Sequence, residues 1–161
     1  MRTITLANGE TVEVECLSCA LVNGLIEPEG GVVMETEHFH AHQDVAYPIP
    51  GLIILASKRH LKSLDELTEE ERIDYITVLA EIRKAQQNVL GIESVYYFYN
   101  EDTTHHFHTW MVPRYDWMYA FGHSVESVRP ALLHARNEMN DEANLKSVRQ
   151  AISALTEELE R

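Results

Sequence analysis

Apolar and polar residues alternate along the first part of the chain. Residues 3–6 and 11–15 both follow the period of two that is typical of a β-strand. Asn8-Gly9 lies between them and favours a type I′ turn. The pattern therefore predicts a hairpin over residues 1–15.

The hydrophobic pattern from residue 16 to residue 115 predicts an α+β fold. Residues 16–31 have the composition of a loop or a short helix. A capping box at residues 68–71 begins a long helix that runs to about Leu90, and Gly91 is a typical stop. Short apolar runs predict strands at residues 32–35, 39–44, 52–57, 94–100 and 106–112. Strands mostly in sequence, with one long helix between them, indicate an antiparallel meander.

The apolar surface of the helix at residues 69–90 is wider than one packing interface requires. Ile73, Ile76 and Leu79 share one face, and Val78 and Ile82 adjoin it. The sequence therefore predicts cover on two sides, by the sheet and by either the C-terminal helices or a second subunit.

Residues 116–161 are predicted to form a helical extension that packs on the same domain. One helix is expected from residue 124 to about residue 139, and another over residues 141–160 with Asn140 as its cap. Val125, Val128 and Leu132 lie on roughly one face of the first helix, and such a stripe requires burial.

Composition limits the classes of function. The chain has 161 residues, 45% of them hydrophobic, which suits one globular domain. Its formal charge of −13 disfavours non-specific binding to DNA or RNA, because such a field repels phosphate backbones. No run approaches the roughly 20 apolar residues of a membrane span, and the N-terminal residues lack the apolar centre of a signal peptide. We therefore expect a cytoplasmic protein.

Three histidines lie within residues 105–108, in the stretch THHFHTWMVPRY. If this stretch is a strand, His106, His108 and Trp110 share one face. Solvated surface histidines are the alternative interpretation, and it would leave a tryptophan exposed beside them. The pattern favours a functional face.

A second run of histidines, HFHAH at residues 38–42, also has the spacing of a strand face. His38, His40 and His42 could hold a metal ion. Phe39 and Ala41 would then form the buried face, so we expect the three histidines to face solvent. The role of these residues and of His105 stays open.

Cys16 and Cys19 form a Cys-x-x-Cys pair, which has two interpretations in a reducing compartment. A redox pair would usually have Gly-Pro between its cysteines, whereas Leu17-Ser18 lies here. A structural zinc site needs two further nitrogen or sulfur ligands. His60 and the histidines at 105–108 are available.

Several motifs together resemble the histidine-triad (HIT) superfamily. HFHTWMVPRY is similar to its active-site strand, H-φ-H-φ-H-φ-φ followed by Pro-Arg. CLSC with LVNGLIEPEG, then HFHAHQD, then PGLIILASKRH follow the order of motifs in zinc-bearing bacterial members. The resemblance covers about residues 16–115 and implies a HIT-like domain there, commonly as a homodimer.

The resemblance implies a role for each matching residue. His108 corresponds to the nucleophile that attacks the α-phosphorus of a nucleotide, and Asp44 to the acid that binds the ribose. Asn100 and Thr103 correspond to the loop that holds phosphate and leaving group, and Trp110 is placed to contact the nucleotide. The implied ligands of a structural Zn²⁺ are Cys16, Cys19, His60 and His106.

The chain departs from the HIT motif in three places. Trp110 replaces the third histidine, Leu52 replaces the histidine after Pro-Gly, and the loop from Asn100 to His106 is short and lacks Gly-Gln-Ser. The leading hypothesis is a nucleotide hydrolase or nucleotidyl transferase that acts through a covalent nucleotidyl-histidine. Its substrate would be a nucleoside phosphate, phosphoramidate or dinucleoside polyphosphate. The alternatives are a zinc- and nucleotide-binding module with weakened turnover, and an unrelated metalloprotein built around His38, His40 and His42.

Overall fold

Seven strands and four α-helices make up the part of the chain that a computed structural model describes, residues 1–102 and 106–161. Three short 3₁₀-helices, at Leu64–Glu66, Asp116–Phe121 and Val125–Ser127, join them. The strands are β1 Arg2–Thr5, β2 Thr11–Val14, β3 Val32–Glu35, β4 Phe39–Gln43, β5 Ile53–Ser57, β6 Val95–Phe98 and β7 His108–Pro113. The α-helices are α1 Leu17–Val22, α2 Glu69–Leu90, α3 Val128–Glu138 and α4 Glu142–Leu159. No described helix is long and apolar enough to cross a membrane.

Five strands form one antiparallel sheet in the order β3-β4-β5-β7-β6. After β5, α2 carries the chain past the position of β7, and β6 returns along the edge before β7 fills the gap. The predicted α+β fold with an antiparallel sheet is confirmed, and the order of the last two strands is exchanged relative to a simple meander. This exchange places β7, which carries the histidine motif, inside the sheet. The predicted hairpin also forms, as the separate pair β1 and β2.

Helix α2 begins and ends where its caps predict. Thr68 accepts a hydrogen bond from the Glu71 N–H, the Glu71 carboxylate accepts one from the Thr68 N–H, and Gly91 closes the helix at a φ of 65°. The helix buries Val78 and Ile82 against the sheet, in one core with Phe39 and Met111 of the strands.

The predicted cover of α2 on a second side comes from the C-terminal region. Helix α4 packs on α2, and Ile152 and Leu155 join the core beneath it. The cover is incomplete, because Ile73 and Ile76 remain 60% and 58% exposed. The cap of α4 is Asp141, whose side chain accepts a hydrogen bond from the Asn144 N–H, so the prediction of Asn140 was wrong.

The opposite face of the sheet has a different cover. Helix α3 packs there with a second apolar core that contains Leu52, Ile54 and Met118. A third cluster joins the hairpin to α1 through Val12, Val14, Leu17 and Leu21. Both faces of the sheet are therefore covered, and a pocket lies between these elements on the α3 side.

Candidate metal centre and nucleotide site

The face of the sheet towards α3 collects histidines from two strands. On β7, His108 and Trp110 alternate with the buried Thr109. The register aligns His40 with His108, and His42 with Trp110, on either side of β5. One sheet surface therefore presents three imidazoles and an indole.

His40 and His42 are buried, each only 2% exposed, so the expectation that they face solvent was wrong. The alternation of β4 was predicted correctly, since Phe39 and Ala41 do pack into the core. A strand pattern cannot show that α1 and α3 also cover the other face. Among the residues that the structure describes, these histidines take part in no cluster of three or more metal-ligand donors.

Four donor atoms converge at the end of β7 that lies nearest the N-terminal helix. The Nδ1 atom of His106 lies 3.4 Å from the Sγ atoms of both Cys16 and Cys19 and 3.2 Å from Nδ1 of His60. The Cys19 Sγ lies 3.0 Å from Nδ1 of His60. All four donors are within 4.8 Å of one another.

Local structure positions each of these donors. Cys16 caps α1 and Cys19 lies one turn later, so both thiols point to the same side, and the Cys19 N–H donates to Cys16 Sγ at 3.4 Å. His60 follows the end of β5, and His106 lies two residues before the start of β7. The resemblance implied this set of four ligands, and the fold brings all four together.

The hydrogen bonding of His106 directs its Nδ1 towards the two thiols. Its Nε2–H donates to the carbonyl oxygen of Ser57 at 2.6 Å, so Nδ1 carries the lone pair that faces the thiols. Burial lowers the pKa of His106, which keeps the ring neutral. Burial and the neighbouring Cys16 raise the pKa of the Cys19 thiol to about 11. A bound cation would stabilise the thiolate and so lower this pKa. Two sulfur and two nitrogen donors at these distances fit a tetrahedral zinc ion.

An ion pair anchors the residue before His60. Arg59 donates from Nε and Nη2 to the two carboxylate oxygens of Glu71, each at 2.9 Å, and from Nη2 to the Glu66 carbonyl oxygen at 2.8 Å. The hydrogen bonds from Arg59 hold the pKa of Glu71 at about 2. The first turn of α2 is thereby tied to the segment that carries a candidate metal ligand.

Glu71→Gln is expected to lower the free energy of unfolding by about 1–2 kcal/mol at pH 7. This value is smaller than the one that the pKa shift of Glu71 alone would give, because Arg59 is half-exposed and solvent screens the ion pair. A folded-state pKa below the unfolded one stabilises the protein above about pH 4.5, and that contribution is lost as the pH falls towards 2. The difference between wild type and variant should therefore shrink over that range, measured by urea unfolding. Glu70→Gln, which removes a neighbouring exposed carboxylate, is the control and should have little effect. An equal loss in both variants would contradict the role of the ion pair.

His108 lies on the wall of a pocket of about 610 Å³. Its Nδ1–H donates to the carbonyl oxygen of His106 at 3.0 Å, so Nε2 carries the lone pair. Burial lowers the pKa of His108, and the ring is neutral at pH 7. A neutral imidazole with a free Nε2 is a competent nucleophile.

The other predicted nucleotide contacts share this pocket, with one exception. Asp44, Asn100 and Trp110 all line it, whereas Thr103 lies outside the described residues. The Asp44 carboxylate accepts the N–H groups of Ala46 and Tyr47 at 2.9 and 2.8 Å, and burial raises its pKa to about 6.

Trp110 contributes an aromatic surface where the motif would place its third imidazole. Its ring centroid lies 5.8 Å from that of Tyr47 and 6.4 Å from that of His108. Among the residues that the structure describes, the buried indole Nε1–H has no hydrogen-bond partner. Leu52, the other departure from the motif, is fully buried in the core beneath α3.

Sequence reasoning missed several residues of the pocket. His42 lines it, and its Nδ1–H donates to the Gln43 carbonyl oxygen at 2.7 Å, while Nε2 has no hydrogen-bond partner in the described part of the chain. Its spacing of two from Asp44 on one strand was the available signal. Three arginines, Arg2, Arg129 and Arg136, come from the hairpin and α3, and no local pattern connects them to the histidines.

Comparisons with known proteins agree with this architecture. No family model and no curated protein matches the chain. A zinc-bound histidine-triad family protein from Mycobacterium smegmatis superposes with a TM-score of 0.61 at 21% identity, covering 89% of this chain and 96% of that one. The chain has the histidine-triad fold.

Two further histidine-triad structures match at similar values. A HIT family member from Bacillus subtilis has a TM-score of 0.60 at 21% identity, with coverage of 87% of this chain and 96% of that one. A hypothetical histidine-triad nucleotide-binding protein from Sulfolobus tokodaii has a TM-score of 0.58 at 19% identity, with coverage of 86% of this chain and 92% of that one. The coverage shows that the histidine-triad likeness extends beyond residues 16–115.

Proposed function

We propose that this protein is a nucleotide hydrolase or nucleotidyl transferase in which His108 forms a covalent nucleotidyl-histidine intermediate. The observation that carries the proposal is the hydrogen bonding of His108. Its neutral ring donates from Nδ1–H to a backbone carbonyl oxygen, and this leaves the lone pair on Nε2 at the wall of a pocket. Asp44 and Asn100 line the same pocket and would contact the ribose and the phosphate. Thr103 is proposed to complete the phosphate-binding loop.

The chemistry follows from the Nε2 lone pair. Nε2 attacks the α-phosphorus, a bond from nitrogen to phosphorus forms, and the bond to the leaving group breaks with its electron pair. Water or another acceptor then attacks the same phosphorus and loses its proton to solvent. The bond from nitrogen to phosphorus breaks, its electron pair returns to Nε2, and the nucleotide is released. Two displacements replace one difficult step.

Cys16, Cys19, His60 and His106 would hold a zinc ion that serves the structure. When bound, the ion neutralises the two thiolates and joins three segments of the chain, with no coordination position left for a substrate. The same His106 provides the carbonyl oxygen that orients His108. The metal centre would therefore hold the nucleophile in position indirectly.

A binding module with little turnover is the second candidate, and Trp110 favours it. An indole N–H is a hydrogen-bond donor only, so it cannot supply a proton to a leaving group as an imidazolium does. The ring is nevertheless placed beside His108 to stack on a base. The two candidates differ in whether a covalent intermediate forms.

Intact-mass spectrometry after mixing the protein with a panel of nucleoside phosphoramidates and polyphosphates separates these candidates. We expect an added mass of one nucleoside monophosphate in the wild type and none in His108→Gln, which keeps the size of the side chain without its nucleophile. Nucleotide binding without an adduct for every compound would favour the binding module.

We also propose a homodimer in the cytoplasm, where reduced thiols suit a metal site. Strand β6 is a sheet edge, and its Tyr97 is 47% exposed on the side of the sheet that α2 covers. Ile73 and Ile76 of α2 are also exposed and form an apolar patch on the helix that covers this side of the sheet. A second copy would cover both the edge and the apolar patch.

Ile76→Glu is expected to convert the dimer to a monomer, because it places a charge in the proposed interface. Sedimentation equilibrium measures the change. Thr11→Glu, at an exposed position of the hairpin and away from α2, is the control and should stay dimeric. A wild type that is monomeric at micromolar concentration would refute the interface.

A further inference from the structure

The pocket beside His108 has a charge opposite to that of the whole protein. The chain carries 26 acidic and 13 basic residues, yet three arginines and a single carboxylate line this pocket. Acidic residues outnumber basic ones two to one overall, so this local reversal indicates selection for an anionic ligand.

The three arginines come from two separate elements. Arg2 lies on β1 of the hairpin, and Arg129 and Arg136 lie seven residues apart on α3, which places them two turns apart on one face. The guanidinium of Arg136 lies 5.3 Å from the ring centroid of Tyr47, which itself contacts Trp110. Arg2 is close enough for its charge to act on His108. The guanidinium groups therefore line the pocket from the neighbourhood of His108 to the part of the wall that Tyr47 and Trp110 form.

These arginines are not used to stabilise the fold through ion pairs. Within the described residues, Arg2, Arg129 and Arg136 have no carboxylate within 4.0 Å, whereas Arg59, Arg149 and Arg161 are paired with one. The remaining arginines, Arg72, Arg83 and Arg114, donate hydrogen bonds to backbone carbonyl oxygens. Three unpaired guanidinium groups around one concavity can bind phosphate oxygens through pairs of N–H donors.

We infer that Arg2, Arg129 and Arg136 form a subsite for a second phosphoryl group, so that the substrate is a nucleoside with at least two linked phosphates. The inference rests on the proposed function and deepens it. The hairpin and α3, which lie outside the motif-bearing residues 16–115, would thereby determine the choice of leaving group.

Proton chemistry supports the same substrate class. When Nε2 of His108 bonds to the α-phosphorus, the broken P–O bond leaves its electron pair on the bridging oxygen of the departing phosphate. The guanidinium groups compensate that charge, and no proton has to be delivered at the same moment. An amine leaving group needs a proton, which Trp110 cannot supply as an acid.

Steady-state kinetics with two substrates that share an adenosine 5′-phosphoryl group test the subsite. The leaving group is a neutral amine in adenosine phosphoramidate and an anion in diadenosine triphosphate. Arg129→Gln and Arg136→Gln are each expected to lower kcat/KM for the triphosphate by about tenfold, the size of one charge-assisted hydrogen bond. The same variants should change kcat/KM for the phosphoramidate less than twofold. Arg161→Gln, at the exposed end of the chain, is the matched control and should change neither value.

Direct binding of inorganic tripolyphosphate separates a failure of this inference from a failure of the proposed chemistry. Calorimetry at low ionic strength should show binding that weakens about tenfold in Arg129→Gln and Arg136→Gln but persists in His108→Gln. If both substrates lose activity equally in the arginine variants, or if tripolyphosphate binds them as it binds the control, the subsite is refuted. Adduct formation at His108 would still stand in that case. Tripolyphosphate binding without any adduct would instead retain the subsite and reject the nucleotidyl transfer.

Discussion

Purified protein is expected to carry about one zinc ion per chain, and loss of that ion should destabilise the fold by about 4 kcal/mol or more. Structural zinc contributes roughly 10–16 kcal/mol in zinc-finger peptides, and the smaller figure reflects the apolar core that this domain has besides the metal. The ion would join α1 to the ends of β5 and β7, which places residues up to 90 positions apart in one coordination sphere. His60→Ala and Cys16→Ser should each lose the metal and lower the midpoint of thermal unfolding. Elemental analysis and calorimetry measure the two quantities.

His38→Ala is the control for these ligand variants. His38 is half-buried and lies outside the cluster of four donors, so its removal should leave the zinc content unchanged. Native protein without metal, whose stability does not respond to a chelator, would contradict the assignment. Zinc that persists in His60→Ala and disappears in His40→Ala would place the site on β4 instead.

The second large effect is expected at the nucleophile. His108→Ala should lower turnover of any substrate by at least about a thousandfold, since removal of a covalent nucleophile typically costs this much or more. Zinc content and nucleotide affinity should stay near wild type, because the imidazole donates to the His106 carbonyl oxygen and, among the described residues, lies outside the cluster of four metal-ligand donors. Single-turnover kinetics with chemical quench, together with elemental analysis, separate the lost chemistry from lost folding.

Trp110→His tests what the third position of the motif contributes. A positioned acid is worth about a hundredfold or more when the leaving group needs a proton. The variant should therefore accelerate phosphoramidate hydrolysis strongly and change the hydrolysis of a phosphoanhydride little. Trp110→Phe, which keeps an aromatic ring without an ionisable group, is the control and should accelerate neither. An equal gain in both variants would mean that the bulk of the Trp110 side chain, and not proton transfer, limits the rate of hydrolysis in the wild type.

Local rules were sufficient for the parts of the fold that depend on neighbours in sequence. The box at Thr68 and Glu71 and the glycine at 91 bounded α2 correctly, because caps act within one helical turn. The same rules failed at Asn140, where the adjacent Asp141 provided the cap. The candidate metal ligands were a different case, because the Cys-x-x-Cys pair alone left its two partners open and only the ordered motifs of the resemblance implied them.

Tertiary placement could not be predicted from the strand patterns. Alternation on β4 correctly separated Phe39 from His40, yet whether a polar face meets water depends on the helices that pack on it. The arginines of the pocket illustrate the same limit. Arg2 and Arg136 lie 134 positions apart, and only the joint packing of the hairpin and α3 on one sheet face brings them to the same pocket.

The interior position of β7 has a consequence for how activity is lost on heating. This strand is paired with β5 from His108 to Met111 and with β6 from Trp110 to Pro113, so Trp110 and Met111 cannot open without breaking ladders on both sides. Amides in such central strands exchange with solvent mainly through global unfolding, whereas edge strands open locally. The amide hydrogens of β7 should therefore be among the slowest to exchange for deuterium in the molecule. Thermal inactivation should coincide with the global unfolding transition instead of preceding it.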